Sequence, residues 1–152
     1  MQVTYCADAV VFAYLPGERE PHVLLGVRGR HSDAYPGHSC LPGGEVEEDE
    51  LAREAAAREL AEETGLKIDP GEFYLGDVLD DPGRDPRGPV VSAVYVVIMT
   101  VNRLPAVKGA DDLESAAWHP VARIWDGTLR MAFDHADAVE RVLGDIESRA
   151  RR

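Results

Sequence analysis

The sequence of 152 residues has little cysteine and no long apolar run. Its two cysteines, Cys6 and Cys40, form neither a closely spaced metal pair nor a disulfide framework, which is typical of a protein in a reducing compartment. The longest apolar stretches, Ala9 to Leu15 and Val90 to Ile98, are far shorter than the ~20 residues of a membrane-spanning helix. Residues 1–15 lack the basic start and cleavage site of a secretory signal. We therefore expect a cytoplasmic protein without a membrane partner.

Positive charge is also scarce, because 16 Lys and Arg stand against 28 Asp and Glu, a formal net charge of −12. Nucleic acids and anionic membranes attract basic surfaces, so no nucleic-acid partner is expected. Metal cations and small molecules are the expected partners instead. The hydrophobic fraction of 45% and charged fraction of 29% are ordinary for a globular protein, and the length predicts a single domain over residues 1–152.

Short apolar runs separated by turn residues predict most of a sheet. Ala7 to Leu15 and His22 to Val27 flank a turn and are interpreted as an antiparallel pair of strands. The longest run, Val90 to Val101, is rich in β-branched residues and predicts a strand buried on both faces. Two weaker strands are predicted at Phe73 to Val78 and Ser115 to His119.

Two segments predict helices. Glu50 to Thr64 contains neither Gly nor Pro and consists mainly of Ala, Leu, Glu and Arg, and Gly65 follows as a typical helix stop. Asp134 to Arg149 has apolar residues at helical spacing, and a helical turn is expected from Pro120 to Ile124. The order of elements predicts an α+β or layered α/β/α domain with a mixed sheet.

Carboxylates are concentrated between Gly44 and Leu66, where nine of them against Arg53 and Arg58 give a local charge of −7. A solvated acidic helix face is the ordinary interpretation of such a pattern. A divalent cation would also relieve the repulsion, since carboxylates and carbonyls are the hard oxygen ligands that Mg²⁺ and Mn²⁺ prefer. The nine acids are Glu45, Glu47, Glu48, Asp49, Glu50, Glu54, Glu59, Glu62 and Glu63.

This segment resembles the Nudix box, G-x5-E-x7-R-E-U-x-E-E-x-G-U, in which U is a bulky aliphatic residue. The resemblance implies an α/β fold, the Nudix-type α/β/α sandwich with a central mixed sheet, and hydrolysis of a nucleoside diphosphate linked to another group. The positions that match are Gly44, Glu50, Arg58, Glu59, Leu60, Glu62, Glu63, Gly65 and Leu66.

The resemblance also implies roles for individual residues. Glu59, Glu62 and Glu63 would hold Mg²⁺ or Mn²⁺, and the carbonyl of Gly43 would add a ligand. Arg58 would orient those carboxylates through charge-assisted hydrogen bonds. Glu50 would either support the site or satisfy the dipole at the start of the helix.

The base that activates water differs among Nudix enzymes, and some take it from a loop outside the box. Asp111, Asp112 and Glu114 are the outside candidates here. In relatives with a D-D-x-x-E-A-x-W pattern the Glu stands three residues before the Trp. This chain has Ser115 at that position before Trp118, and Glu114 one residue earlier, so both Glu114 and an acid of the box stay open as the base.

Features outside the box predict the substrate. The segments Asp81 to Gly88 and Ala132 to His135 resemble a subgroup that contains ADP-ribose pyrophosphatases and sensor domains of NAD-metabolism regulators. The candidate substrate-binding residues are Arg28, Arg84, Arg87 and Phe133.

Each assignment in these segments has a structural alternative. Arg84 and Arg87 could instead pair with Asp80, Asp81 and Asp85 to shape their loop. Phe133 could stack on a base or belong to the core. His135 is interpreted as a helix N-terminal residue rather than as a catalytic acid.

The favoured function is Mg²⁺-dependent hydrolysis of ADP-ribose, a small-molecule nucleotide, to AMP and ribose 5-phosphate. The alternatives are a nucleoside triphosphate pyrophosphatase that cleans the nucleotide pool and a non-catalytic ADP-ribose sensor. Such sensors tend to lose box acids and generally carry a winged helix after the domain. All box acids are present here and only 18 residues follow Asp134, so an enzyme is expected. By analogy with related ADP-ribose enzymes, a homodimer is one expected assembly.

Overall fold

A computed structural model describes residues 1–151 as one seven-stranded sheet with helices on both faces. The helices are α1 (Ala52–Thr64), α2 (Ala122–Trp125) and α3 (His135–Ala150), and a 3₁₀ turn covers Pro70–Glu72. The strands are β1 (Thr4–Tyr14), β2 (His22–Arg28), β3 (Ser39–Cys40), β4 (Gly43–Glu45), β5 (Tyr74–Leu79), β6 (Val90–Thr100) and β7 (Leu113–Pro120).

The sheet is mixed. Its main order is β3-β2-β1-β6-β5, with β4 paired to β1 and β7 paired to β2. The central strands β1 and β6 run parallel, from Thr4 opposite Val90 to Tyr14 opposite Thr100, and the other pairs are antiparallel. The mixed sheet predicted from the sequence is thereby confirmed.

Alternation along β1 divides the apolar residues between two cores, because successive side chains of a strand point to opposite faces. Ala7, Ala9 and Val11 pack in one core with the alanines and Leu60 of α1. Val10 and Phe12 pack in the other core with residues of α2 and α3. The molecule is therefore layered helix, sheet, helix, as the α/β/α expectation requires.

The predicted elements are found with small shifts at their ends. Helix α1 begins at Ala52 and ends where expected, since Gly65 has φ 78° and donates its N–H to the carbonyl of Ala61 at 3.0 Å. The expectation that β6 is buried on both faces holds in its middle but fails at Ile98, whose side chain is exposed. The polar segment from Gly29 to Cys40 ends in the short strand β3.

Within residues 1–151 no helix has the length and apolar character needed to cross a membrane.

Candidate functional site

Arg58, on the second turn of α1, forms hydrogen bonds with several carboxylates of the acidic segment. Its guanidinium donates to Glu50 at 2.7 and 3.0 Å and to Glu59 at 2.8 Å. It also contacts Glu62 at 3.3 Å and donates to the backbone carbonyl of Glu45 at 3.1 Å. These bonds, the Glu50 contact foremost, raise the pKa of Arg58, and the same contact lowers the pKa of Glu50. Arg58 therefore joins the loop before α1 to the helix face that carries the acids.

Two carboxylates of α1 lie against the Gly43–Gly44 backbone. The N–H of Gly43 donates to Glu63 at 2.8 Å. A Cβ added to Gly44 would stand only 2.7 Å from the carboxyl group of Glu59, so a larger residue at this position would displace that carboxylate. Residues 59 and 63 are one helical turn apart and share a face. Glu62, by contrast, is exposed beside Arg58.

A negative charge on both Glu59 and Glu63 is electrostatically unfavourable at this position. Burial raises the pKa of Glu63 to about 8, and the nearby charges of Glu59, Asp112 and Asp8 add to the rise. Burial also raises the pKa of Glu59, although Arg58 offsets part of that effect. Bringing a cation between these carboxylates would relieve both the burial penalty and the mutual repulsion.

The donor set fits a hard divalent cation. Carboxylate oxygens of Glu59 and Glu63 lie beside the Gly43–Gly44 backbone, and oxygen ligands suit Mg²⁺ and Mn²⁺. No three Asp, Glu, His or Cys side chains within residues 1–151 converge closely enough to hold a metal ion by themselves. Mg²⁺ usually keeps several waters and substrate phosphate oxygens in its coordination shell, so a partial protein cage suffices.

Two neighbouring cavities with several lining residues in common adjoin these carboxylates. An outer cleft of about 880 Å³ is lined by Glu59, Glu63 and Asp112 among other residues. An inner pocket of about 80 Å³ lies beyond it and is lined by Asp8, Ser92, His135 and the candidate substrate-binding residues. The two share Arg28, Gly43, Gly44, Glu63 and Arg87, so an elongated ligand could occupy both.

The two arginines of the Asp81–Gly88 segment, Arg84 and Arg87, have different carboxylate partners. Arg87 pairs with Asp85 at 2.8 Å, as the alternative interpretation expected, and its side chain remains 47% exposed. Arg84 pairs with Asp134, fifty residues away, through contacts of 2.8, 3.0 and 3.1 Å, and only 4% of its side chain is exposed. The alternative in which Arg84 pairs within its own loop is therefore not what the structure shows, because Asp134 at the start of α3 supplies the carboxylate.

Arg28 is the candidate cation with the greatest freedom. It stands at a β-bulge where β2 meets β7, and its Nε donates to the carbonyl of Ala34 at 2.7 Å. No carboxylate within residues 1–151 forms a salt bridge with it. Arg28 lines both cavities, and a guanidinium group can donate to phosphate oxygens.

Phe133 is packed rather than free to stack on a base. The guanidinium carbons of Arg28, Arg87 and Arg84 lie 5.0, 5.7 and 6.0 Å from its ring centroid. The rings of Tyr35 and His135 are 4.7 and 5.2 Å away. The residue also has a positive φ of 51°, a conformation unusual outside glycine. These contacts favour the structural interpretation of Phe133.

Asp112 and Glu114, two of the candidate acids outside the box, lie in different surroundings. Asp112 lines the outer cleft with Glu59 and Glu63, because the preceding loop is bonded to the end of α1: Ala110 N–H donates to the Glu63 carbonyl at 3.0 Å. Glu114 is exposed on β7 and lines neither cavity. The structure thus brings Asp112, and not Glu114, to the carboxylate cluster.

Sequence reasoning missed Asp8, which is buried in β1 on the wall of the inner pocket. Its carboxylate accepts a hydrogen bond from the buried hydroxyl of Ser92 and lies 3.7 Å from Nε2 of His135. A lone carboxylate in an otherwise apolar strand was the available signal, since such a group is buried only with polar partners. Burial raises the pKa of both neighbouring thiols, Cys6 and Cys40, to about 12, so they remain neutral.

Comparisons with known proteins agree with this geometry. Residues 5–142 match the family model described as NUDIX domain. The chain is 36% identical over 123 residues to an ADP-ribose pyrophosphatase of Methanocaldococcus jannaschii, an alignment that covers 81% of this chain and 66% of that protein. The chain spans about half to two thirds of the length of the curated relatives it matches.

Two solved structures are similar over nearly the whole chain. One is the NUDIX domain of Shewanella oneidensis NrtR complexed with ADP ribose, with a TM-score of 0.81 and 26% identity over 96% of this chain and 90% of that one. The other is a bifunctional NMN adenylyltransferase/ADP ribose pyrophosphatase from Francisella tularensis complexed with AMP and a Mn ion. Its TM-score is 0.82, with 27% identity over 95% of this chain and 42% of that one.

Proposed function

Because the chain belongs to the NUDIX domain family, we propose that it hydrolyses the diphosphate linkage of a nucleoside diphosphate joined to a second group, with Mg²⁺ or Mn²⁺ as cofactor. The observation that carries this proposal is the pair Glu59 and Glu63 beside Gly43–Gly44, in a cleft that adjoins an arginine-lined pocket. A cation held by acidic residues, with guanidinium groups nearby, can bind the negatively charged oxygens of a diphosphate ester.

The residues divide the chemical tasks between them. Glu59, Glu63 and the Gly43 carbonyl would hold the cation at the cleft, with Glu62 at its edge, and Arg58 would keep the acids in place. The cation would supply positive charge against the diphosphate oxygens. Arg28 would donate to a phosphate oxygen, since its charge is not already engaged by a carboxylate.

Asp112 is our candidate for the group that takes a proton from the attacking water. Its carboxylate is exposed to the outer cleft and lies on the same cavity wall as Glu59 and Glu63. A general base must be able to reach a water next to the reacting phosphate, and the exposed Glu114 lines neither cavity. The role proposed for an outside acid therefore passes from Glu114 to Asp112.

ADP-ribose is the substrate we favour, with AMP and ribose 5-phosphate as products. Support comes from the M. jannaschii relative, which is named an ADP-ribose pyrophosphatase, and from the NrtR domain, which was solved with ADP ribose. The two neighbouring cavities agree with an elongated ligand whose diphosphate lies between two end groups. The same NrtR similarity supports a second candidate, an ADP-ribose-binding regulator without hydrolysis.

The test is a hydrolysis screen with Mg²⁺ and with Mn²⁺ over ADP-ribose, NADH, sugar nucleotides, dinucleoside polyphosphates and nucleoside triphosphates, with products identified by chromatography. We expect ADP-ribose to give the highest kcat/KM, and Glu63→Gln to lower kcat by orders of magnitude. Glu140→Gln, an exposed change on α3, is the matched control. Preferred release of diphosphate from nucleoside triphosphates would identify a pyrophosphatase of that class, and tight ADP-ribose binding without turnover would identify the regulator.

A further inference from the structure

The inner pocket contains a buried histidine to which the proposed reaction assigns no role. His135 is the first residue of α3, and only 4% of its surface is exposed. Its Nδ1 accepts a hydrogen bond of 3.0 Å from the backbone N–H of Leu41, a residue 94 positions earlier in the chain. Leu41 is itself buried, so without His135 this N–H would lack a partner in a region that excludes water.

The Leu41–Gly43 segment that receives this bond leads directly to the carboxylate cluster. The carbonyl of Pro42 accepts from the N–H of Ala9 at 2.8 Å, and the N–H of Gly43 donates to Glu63 at 2.8 Å. Leu41 is therefore bonded to α3, Pro42 to β1, and Gly43 to α1 in addition to its pairing with β1. A small displacement at Leu41 would be transmitted to the Gly43 carbonyl and to the Glu63 carboxylate.

The surroundings of the ring fix its orientation. Because Nδ1 accepts the Leu41 bond, the ring proton resides on Nε2, which faces Asp8 at 3.7 Å. Ser92 donates to the same Asp8 carboxylate, and the ring of Phe133 covers the imidazole with its centroid 5.2 Å away. The ring is thus held on several sides and is a rigid support.

We propose that His135 is a positioning residue for the hydrolytic site, which acts through the Leu41 N–H to set the Gly43 backbone and the Glu63 carboxylate for the cation. This inference rests on the proposed function of those two groups. Partners that orient metal-binding groups typically contribute about 10- to 100-fold in metal affinity or activity.

The two amide side chains provide a matched test, because each imitates one nitrogen of the ring. In His135→Asn the amide oxygen can take the place of Nδ1 and accept from Leu41. In His135→Gln the amide reaches the position of Nε2 beside Asp8 and leaves Leu41 without its acceptor. Both variants keep a polar group in the pocket, so a difference between them reports on the Leu41 bond.

We expect His135→Gln to lower kcat by about 10- to 100-fold while KM changes less than about threefold. The same variant should weaken Mn²⁺ binding, measured by electron paramagnetic resonance, by about 10- to 100-fold. In His135→Asn, kcat and Mn²⁺ affinity should lie within about threefold of the unsubstituted protein. Equal activity and Mn²⁺ affinity in the two variants would overturn the proposal. So would the reverse order, which would assign the role to the Asp8 side of the ring.

Two measurements on the unsubstituted protein test the proposal without depending on whether a variant folds or whether a substrate is hydrolysed. The Leu41 amide should exchange its hydrogen only on global unfolding, and the Gly43 amide resonance should shift when Mg²⁺ is added. Rapid exchange at Leu41 would refute the proposal without any variant. If none of the screened diphosphates is hydrolysed, the proposed function fails, whereas Mn²⁺ affinity and these amide signals still decide the role of His135.

Discussion

Replacing Arg84 with methionine tests whether this residue holds the pocket together or contacts the substrate. The structure gives Arg84 a bidentate partner in Asp134, which immediately precedes α3, and leaves 4% of its side chain exposed. Methionine keeps much of the length and removes the charge. We therefore expect Arg84→Met to destabilise the fold while KM for the substrate changes little.

The magnitude follows from the burial of the pair. Removing one partner of a buried ion pair typically costs about 3–5 kcal/mol, since the remaining charge is left without compensation. Asp134 is 20% exposed and can gain some hydration, so we expect the lower end, about 3 kcal/mol. In a protein of this size that loss corresponds to a fall in Tm of about 6–12 °C.

Urea unfolding of Arg84→Met, Asp134→Asn and the double variant measures the coupling between the two side chains. Burial by itself would raise the pKa of Asp134, but the hydrogen bonds from Arg84 lower it below its ordinary 3.8. The Arg84–Asp134 pair therefore contributes its full stabilisation at pH values above 3.8, and this stabilisation is lost as the pH falls through the lowered pKa of Asp134. The difference between unsubstituted protein and Arg84→Met should accordingly shrink below about pH 4.

Arg28→Met is the comparison that separates the two roles. We expect it to lower the free energy of unfolding by only about 1–2 kcal/mol, for the lost bond to the Ala34 carbonyl, and to raise KM about tenfold, because no carboxylate already engages its charge. The reasoning is refuted if Arg84→Met leaves the urea midpoint unchanged and raises KM. It is refuted equally if Arg28→Met unfolds the protein without affecting KM.

Three further predictions concern the carboxylate cluster. Burial raises the pKa of Glu63 from 4.5 to about 8, so in EDTA its charge should destabilise the fold increasingly over that pH range. Glu63→Gln should then be more stable by about 2–5 kcal/mol above pH 8 and nearly equal at pH 5, and equal urea midpoints at both pH values would contradict this. Asp112→Asn should lower kcat more than Glu114→Gln does, and the opposite order in steady-state assays would return the role of base to Glu114. Gly44→Ala should weaken Mn²⁺ binding by displacing Glu59. The control is Gly144→Ala, whose added Cβ meets no atom within 4 Å and which should leave the Mn²⁺ affinity unchanged.

Local patterns were sufficient for most of the fold. Helix α1 follows from helix-forming residues and a glycine stop, and its spacing of 59 and 63 places two acids on one face. Strands β1 and β6 follow from the two longest apolar runs, whose middle residues are buried on both faces of the sheet. These features depend on residues close together in the chain, so the sequence predicts them well.

The arrangement of the pocket depends on pairs that are far apart in the chain. Nothing near Arg84 indicates that its carboxylate is Asp134, and the acids within its own loop were plausible partners. Asp112 and Glu114 are two residues apart in the sequence, yet only the former reaches the cleft, because the loop before β7 is bonded to the end of α1.

The sequence by itself determined the chemistry of this protein: a concentrated set of carboxylates, the arginine that binds them and the glycines that leave them room. Tertiary structure decided which groups act together. Arg28 has no carboxylate partner within residues 1–151, Phe133 packs against Tyr35 and Arg28, and His135 supports Leu41 only after α3 has packed against the sheet. The physical reason is that propensity and periodicity act over a few residues. A buried charge or N–H is satisfied instead by whichever partner the completed fold brings within hydrogen-bond distance.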